Sequence, residues 1–188
     1  MDATEVAAVL ARARQGDSEA FRTLVERHGR RAFQLAYRMT GNEQDAEDVV
    51  QESFIRAYRQ LGRFEARAHF STWLHRIVAN CAVDLIRSRR SRFDHASADT
   101  LEAAQQPDSD TPNPERLAAS AQIQRTVAAA MGDLSPLERA AFTLRHYEGR
   151  SIAEIGKTLG LGTSATKHSV FRAVRKLRAA LEPLRGES

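Results

Sequence analysis

The sequence predicts an all-helical protein of two small domains joined by an acidic linker, and three observations carry that prediction. Apolar residues recur at i, i+3, i+4 spacing in one segment after another, the period of a helix face buried against partner helices. Helix-start chemistry precedes several of these segments: Asp17, Asn42, Ser135 and Ser151 each stand where a side-chain oxygen can take a free backbone N–H. Composition then breaks sharply at residues 93–115, which hold six acids, no lysine or arginine, and prolines at 107, 112 and 114. With no periodic apolar face, that stretch reads as a flexible tether between helical domains at 1–92 and 116–188.

Length and composition bound the possibilities. A chain of 188 residues suits one ordinary domain or two small ones, and 42% hydrophobic content permits real cores. No apolar run approaches the roughly 18 to 20 residues that span a bilayer, so no membrane insertion is expected. The N-terminal MDATEVAAVLARARQGD has acids before its apolar residues and no basic start, unlike a secretory signal, which predicts a cytoplasmic protein. Cys81 is the only cysteine, so there is neither a disulfide framework nor a cysteine-rich zinc site. The chain has no phosphate-binding glycine loop, no metal-ligand cluster and no nucleophile beside a base; no enzyme, cofactor or metal is expected. Net charge is only +4 but unevenly spread: residues 43–52 hold five acids and no base, while 157–185 hold seven bases against Glu182. Segregation of this kind predicts basic surfaces for nucleic acid and acidic surfaces turned elsewhere.

In chain order, a first helix from about Thr4 to Arg14 carries Val6, Val9, Leu10 and Ala13 on one face, and Gly16 closes it. Asp17 caps a second, with Phe21, Leu24, Val25 and His28 continuing the spacing; Gly29 is expected to bend or break it before Phe33 to Thr40. His28 reads as a packed histidine at the core edge. Asn42 opens a third helix to about Leu61, with Ala46, Val49, Val50, Phe54, Ala57, Tyr58 and Leu61 inward and Asp45, Asp48, Gln51, Glu52 and Ile55 on other sides. Gly62 to His69 forms a loop in which Phe64 has no periodic partner; core packing and a binding role are both open for it.

From Phe70 to Arg90 the stripe Phe70, Leu74, Ile77, Val78, Cys81 and Leu85 is predicted core. Beside it lies a row of His69, Arg76, Asn80, Val83 and Arg87, with Trp73 at the border. Cations can neutralise phosphates, an amide can read base edges and an indole can stack on an unpaired base. Seven arginines between Arg63 and Arg92 face only Glu65 and Asp84, a density that favours a polyanion partner. RFEARAHFSTWLHRIVANCAVDLIR resembles the promoter-melting segment of extracytoplasmic-function sigma factors, through Trp73, Leu74, Arg76, Ile77, Asn80, Asp84 and Arg87. The resemblance implies minus-ten DNA contacts at Phe64, Trp73, Arg76, Asn80 and Arg87, with the loop at Phe64 forming a pocket for a flipped-out base. DAEDVVQESFIRAY is similar to the segment that docks on the clamp helices of the RNA polymerase β′ subunit, which implies Asp48, Gln51 and Glu52 as polymerase contacts.

Past the linker, Leu117 to Met131 is helix material. Ser135-Pro136-Leu137-Glu138 is a capping box with proline at the first helical position, opening a helix that buries Leu137, Ala140, Ala141, Leu144 and Tyr147. Ser151 to Glu154 is a second box, Gly160-Leu161-Gly162 a turn, and Thr163 to Leu181 a basic helix, which together give the order of a helix-turn-helix. Its N-terminal half offers Thr166, Lys167, His168 and Arg172 to a major groove. LSPLERAAFTLRHYEGRSIAEIGKTLGLGTSATKHSVFRAVRKLRAAL resembles the sigma domain that reads the minus-thirty-five element, which implies DNA contacts at Lys167, His168, Phe171 and Arg172. Where that family commonly carries V-K-S-R, this chain has Thr166-Lys167-His168-Ser169, so base preference does not carry over. The resemblance implies an alternative sigma factor that binds core RNA polymerase at the β′ clamp helices and β flap, engages promoter DNA and answers to an anti-sigma factor. The competing class is a helix-turn-helix regulator with a helical sensor or dimerisation domain, and the Arg76–Asn80–Arg87 row argues against it.

Overall fold

The structure is a computed structural model that describes residues 3–64, 69–95 and 114–185. Its elements are α1 (Ala3–Arg14), α2 (Ser18–Thr40), α3 (Glu43–Gln60), a 3-10 turn (Leu61–Arg63), α4 (Phe70–His95), α5 (Pro114–Gly132), α6 (Pro136–His146), α7 (Ile152–Leu159) and α8 (Thr163–Arg185). No strand occurs among the described residues, as the periodicity predicts. The chain divides into two compact units, Met1–Ile86 and Arg87–Ser188. α4 runs to His95 and α5 starts at Pro114, so helix takes residues from both ends of the expected linker; the linker expectation for 96–113 lies outside the described residues.

In the first unit the caps form where local chemistry places them. Asp17 accepts hydrogen bonds from the backbone N–H groups of Glu19 and Ala20, both at 3.0 Å, and Arg12 pairs with it at 2.6 Å. The Ala20 amide and then Arg12 hold its carboxyl below the usual range. Asn42 accepts from the Asp45 N–H and donates back to the Asp45 carboxylate, both at 2.8 Å. α2 runs through Gly29 unbroken. A mid-helix glycine costs about 1 kcal/mol, and the burial of Leu24, Ala32, Leu35, Ala36 and Met39 along the same helix outweighs it.

The core of this unit is Leu24, Leu35, Met39, Val49, Leu61, Leu74 and Val78, all fully buried. Three expectations need correction. Asp45 is buried, because its side chain turns back onto the Asn42 cap. Tyr58 is 48% exposed: its ring lies edge-on to Phe21 at 4.9 Å and keeps one face in water. Val83 belongs to the core and not to the polar row, because burial on α4 takes in Val78, Ala79, Cys81, Ala82 and Val83, an arc wider than one stripe.

The second unit is built on Leu134, Ala140, Ala141, Leu144, Ile155, Ala173 and Leu177. Both capping boxes close: Ser135 accepts from the Glu138 N–H at 3.2 Å while Glu138 accepts from the Ser135 N–H at 2.9 Å, and Ser151 with Glu154 does the same at 3.2 and 2.8 Å. Tyr147, expected inside, is 52% exposed, since α6 ends at His146 and its ring only edges Phe142 at 6.1 Å. Between α7 and α8, Gly160 takes the left-handed conformation at φ 66° and its N–H bonds the Gly156 carbonyl. The turn then passes so close to Gly156 that a Cβ there would sit 2.7 Å from the Leu161 carbonyl oxygen and 3.2 Å from Thr166 Oγ1.

That approach generates a test. Gly156→Ala must displace backbone, so it should destabilise the second unit by about 1–3 kcal/mol and leave the first unit's unfolding midpoint unchanged in urea denaturation. An unaltered second transition would contradict the close approach.

Candidate nucleic-acid interface

The cationic row of α4 is borne outward as a surface: His69, Arg76, Asn80 and Arg87 are exposed, while Trp73 is half-buried at its border. The row is anchored from beneath by a cluster of tilted and edge-on rings. Phe64 sits 5.0 Å from Trp73 and 5.9 Å from Phe70, Phe70 sits 5.6 Å from Trp73, and His28 of α2 closes the group at 5.1 Å from Phe70. Phe64 is only 4% exposed, so its ring packs in this cluster and does not stand on the exposed row. The sequence could not decide between these because the loop has no period; residues 65–68 of that loop lie outside the described residues. Burial is the main reason that the His28 ring resists protonation, with Arg27, His75 and Arg31 adding to it.

Asp84, part of the motif, does not join the row. Arg56 of α3 reaches it at 3.1 Å and reaches Glu52 at 2.6 Å. The hydrogen bonds that Arg56 donates to Glu52 and then to Asp84 push its guanidinium further up, keeping it charged. This chain ties α3 to α4 and draws both acids away from the arginines of α4. Sequence reading missed it, because Arg56 and Asp84 are 28 positions apart and neither spacing nor composition signals their meeting.

The acidic face of α3 presents Asp48 and Gln51 exposed and Glu52 half-buried against Arg56. Beside it runs a groove lined by Phe21, Val25 and Phe33 of α2 and Val50, Phe54 and Ile55 of α3, with Asp48 and Gln51 at its edge. The acids and an apolar trough are thus adjacent, an arrangement suited to a helix with one apolar and one basic side.

On α8, Lys167, His168 and Arg172 are exposed and Phe171 is 63% exposed, a large apolar ring left in water beside cations. Thr166 is not available to a groove: it is fully buried, and its hydroxyl donates to the Gly162 carbonyl at 3.0 Å. Ser169 is buried too and donates to the Ala165 carbonyl at 2.9 Å, so the position that departs from the family pattern faces the packing side. Behind the exposed row lies Glu138, 3.3 Å from Arg172 and 2.7 Å from Lys176. Burial pushes its carboxyl up, but Lys176 and the Ser135 cap pull it down further, to below the ordinary glutamate value.

Cys81 is buried, and burial raises its thiol above the usual value. Among the described residues no three histidines, cysteines or carboxylates converge as a metal site, and no helix is long and apolar enough to cross a membrane.

Comparison with known proteins matches both units. Residues 24–92 match the family model of Sigma-70 region 2, and residues 124–177 match Sigma-70, region 4. The ECF RNA polymerase sigma factor SigE of Mycolicibacterium smegmatis is 36% identical over 156 residues, 82% of this chain and 59% of that protein. The ECF RNA polymerase sigma factor SigW of Bacillus subtilis is 32% identical over 175 residues, 91% of this chain and 94% of that protein. A solved structure of CnrH in complex with the cytosolic domain of CnrY superposes with a TM-score of 0.62 at 29% identity, covering 94% of this chain and 96% of that one. With two helical units, exposed cationic rows on α4 and α8 and near full-length likeness to SigW, the chain belongs to the sigma-70 family, as an alternative sigma factor of the extracytoplasmic-function group.

Proposed function

We propose that the chain joins core RNA polymerase through α3, reads the minus-thirty-five element through α8, and holds the opened minus-ten strand on α4. The observation that carries this is the placement of exposed cationic rows on two helices, Arg76–Asn80–Arg87 on α4 and Lys167–His168–Arg172 on α8, with Asp48 and Gln51 exposed on a third. Two DNA surfaces and a separate acidic docking face suit a factor that bridges polymerase and promoter, and a regulator that needs only its helix-turn-helix has no use for the first row.

On this reading residues 1–92 form the polymerase-docking and minus-ten domain, 93–115 the connector, and 116–188 the minus-thirty-five domain. The groove beside Asp48 and Gln51 receives a β′ clamp helix, and the second unit meets the β flap. Trp73 and the arginines hold the strand, Asn80 offers donors and an acceptor to the edge of an unstacked base, and Phe64 serves as the packed floor that keeps Trp73 in place. The factor works in the cytoplasm, contributes binding energy and no catalytic step, and answers to an anti-sigma factor. The complex of CnrH with the cytosolic domain of CnrY supports a protein partner of this kind.

Two measurements test the assignment. Asp48→Ala with Gln51→Ala should weaken association with core polymerase by about 1–3 kcal/mol in a titration, with both units still folded. Core affinity equal to wild type would move the docking face elsewhere. Asn80→Ala should relax base preference at one minus-ten position by about 1–3 kcal/mol, on duplex and on a pre-melted bubble alike. Arg76→Ala should slow opening of duplex and recover on the bubble, which removes the cost of unstacking; unaltered preference in the Asn80 variant on both templates would contradict the role given to the amide.

A further inference from the structure

The two capping boxes have the same pattern, serine followed three residues later by glutamate, yet their glutamates are placed differently. Glu154 is half-exposed and its salt bridge is to Arg150, four residues away on the same segment. Glu138 has a side chain only 5% exposed and reaches across to another helix. One of its oxygens, Oε2, accepts from the Ser135 N–H at 2.9 Å and from Lys176 Nζ at 2.7 Å. The other, Oε1, faces Arg172 Nε at 3.3 Å. A capping box needs only the first of these bonds. The rest is a buried anion set behind two cations one turn apart on α8.

We propose that Glu138 is a positioning residue for DNA recognition, holding Arg172 and Lys176 against α6 so that α8 presents Arg172 in one orientation. The inference rests on the reading of α8 as the minus-thirty-five helix. An ion pair on the Nε side leaves the two terminal nitrogens of the guanidinium as the fork that can pair with the N7 and O6 of a guanine or with two phosphate oxygens. An arginine without that hold sweeps many rotamers and meets any phosphate within reach. The carboxylate also screens part of the positive charge of α8, which lowers sequence-independent attraction to DNA. Both cations keep their ends accessible, with side chains 55% and 43% exposed, so the clamp directs them without removing them from the surface. Lys176, the Ser135 amide and the attraction of the lysine charge hold Glu138 ionised despite its burial, as the clamp requires.

Glu138→Gln separates the clamp from the cap. Its amide oxygen can keep the Ser135 N–H and Lys176, whereas its NH2 group offers Arg172 no acceptor. The experiment uses the full chain in holoenzyme with two duplexes, one selected by wild-type holoenzyme from a random-sequence pool and one scrambled copy. The variant should bind the scrambled duplex as tightly as wild type or more tightly, lose fivefold or more of its discrimination, roughly the worth of one oriented base contact, and steepen its salt dependence by about 0.9 in log–log slope, one further phosphate contact. Adding Arg172→Ala to Glu138→Gln should give the discrimination of Arg172→Ala alone. A variant with wild-type discrimination and slope, or one weakened equally on both duplexes, would show Glu138 to be a cap only and overturn the proposal. Arg172→Ala with wild-type discrimination would instead overturn the assignment of α8 on which the proposal stands.

Discussion

A cation cannot be buried cheaply, and α4 and α8 each bury an apolar face while leaving cations on the other. α4 buries an arc from Phe70 through Val83 and leaves Arg76, Asn80 and Arg87 in water. α8 buries Thr166, Ser169, Ala173 and Leu177 and leaves Lys167, His168, Phe171 and Arg172 outside. The nearby acids are occupied elsewhere: Glu52 and Asp84 are taken up by Arg56, and Asp45 folds onto its own cap. Glu138 is set directly against the cationic row of α8 and lies behind it.

The acidic face of α3 follows from the same separation. With Glu52 turned to Arg56, the exposed acids of α3 that line the groove are Glu47 and Asp48, beside Gln51 and Ile55. The arginines of α4 and the acids of α3 stand on separate helices, with the Arg56 link between the two. A polyanion and a basic protein surface can therefore engage the same unit without competing for its charges.

Features governed by a few consecutive residues were legible in the sequence. Asp17, Asn42, Ser135 and Ser151 cap their helices as their spacing implies, because a cap is satisfied within three residues. The exposed rows were legible because helical period alone separates Arg76 and Asn80 from Leu74 and Val78. Features decided by neighbours distant in sequence were not. Tyr58 and Tyr147 were expected inside, yet they lie edge-on to Phe21 and Phe142 and stay 48% and 52% exposed. Val83 and Thr166 were read as surface positions, but α4 is packed over a wide arc and the turn into α8 passes over Thr166. The Glu138–Lys176 contact spans 38 positions, and the capping box that explains glutamate at 138 gives no sign of it.

The central claim is that this chain turns core polymerase into a promoter-specific enzyme, and transcription in a purified system tests it most directly. Core RNA polymerase free of other sigma factors, given the chain and fragmented genomic DNA of its source, should begin transcripts at a small set of defined positions that share one upstream sequence pair. Start sites scattered as with core alone, in a mixture where the chain is folded and bound to polymerase, would contradict the account.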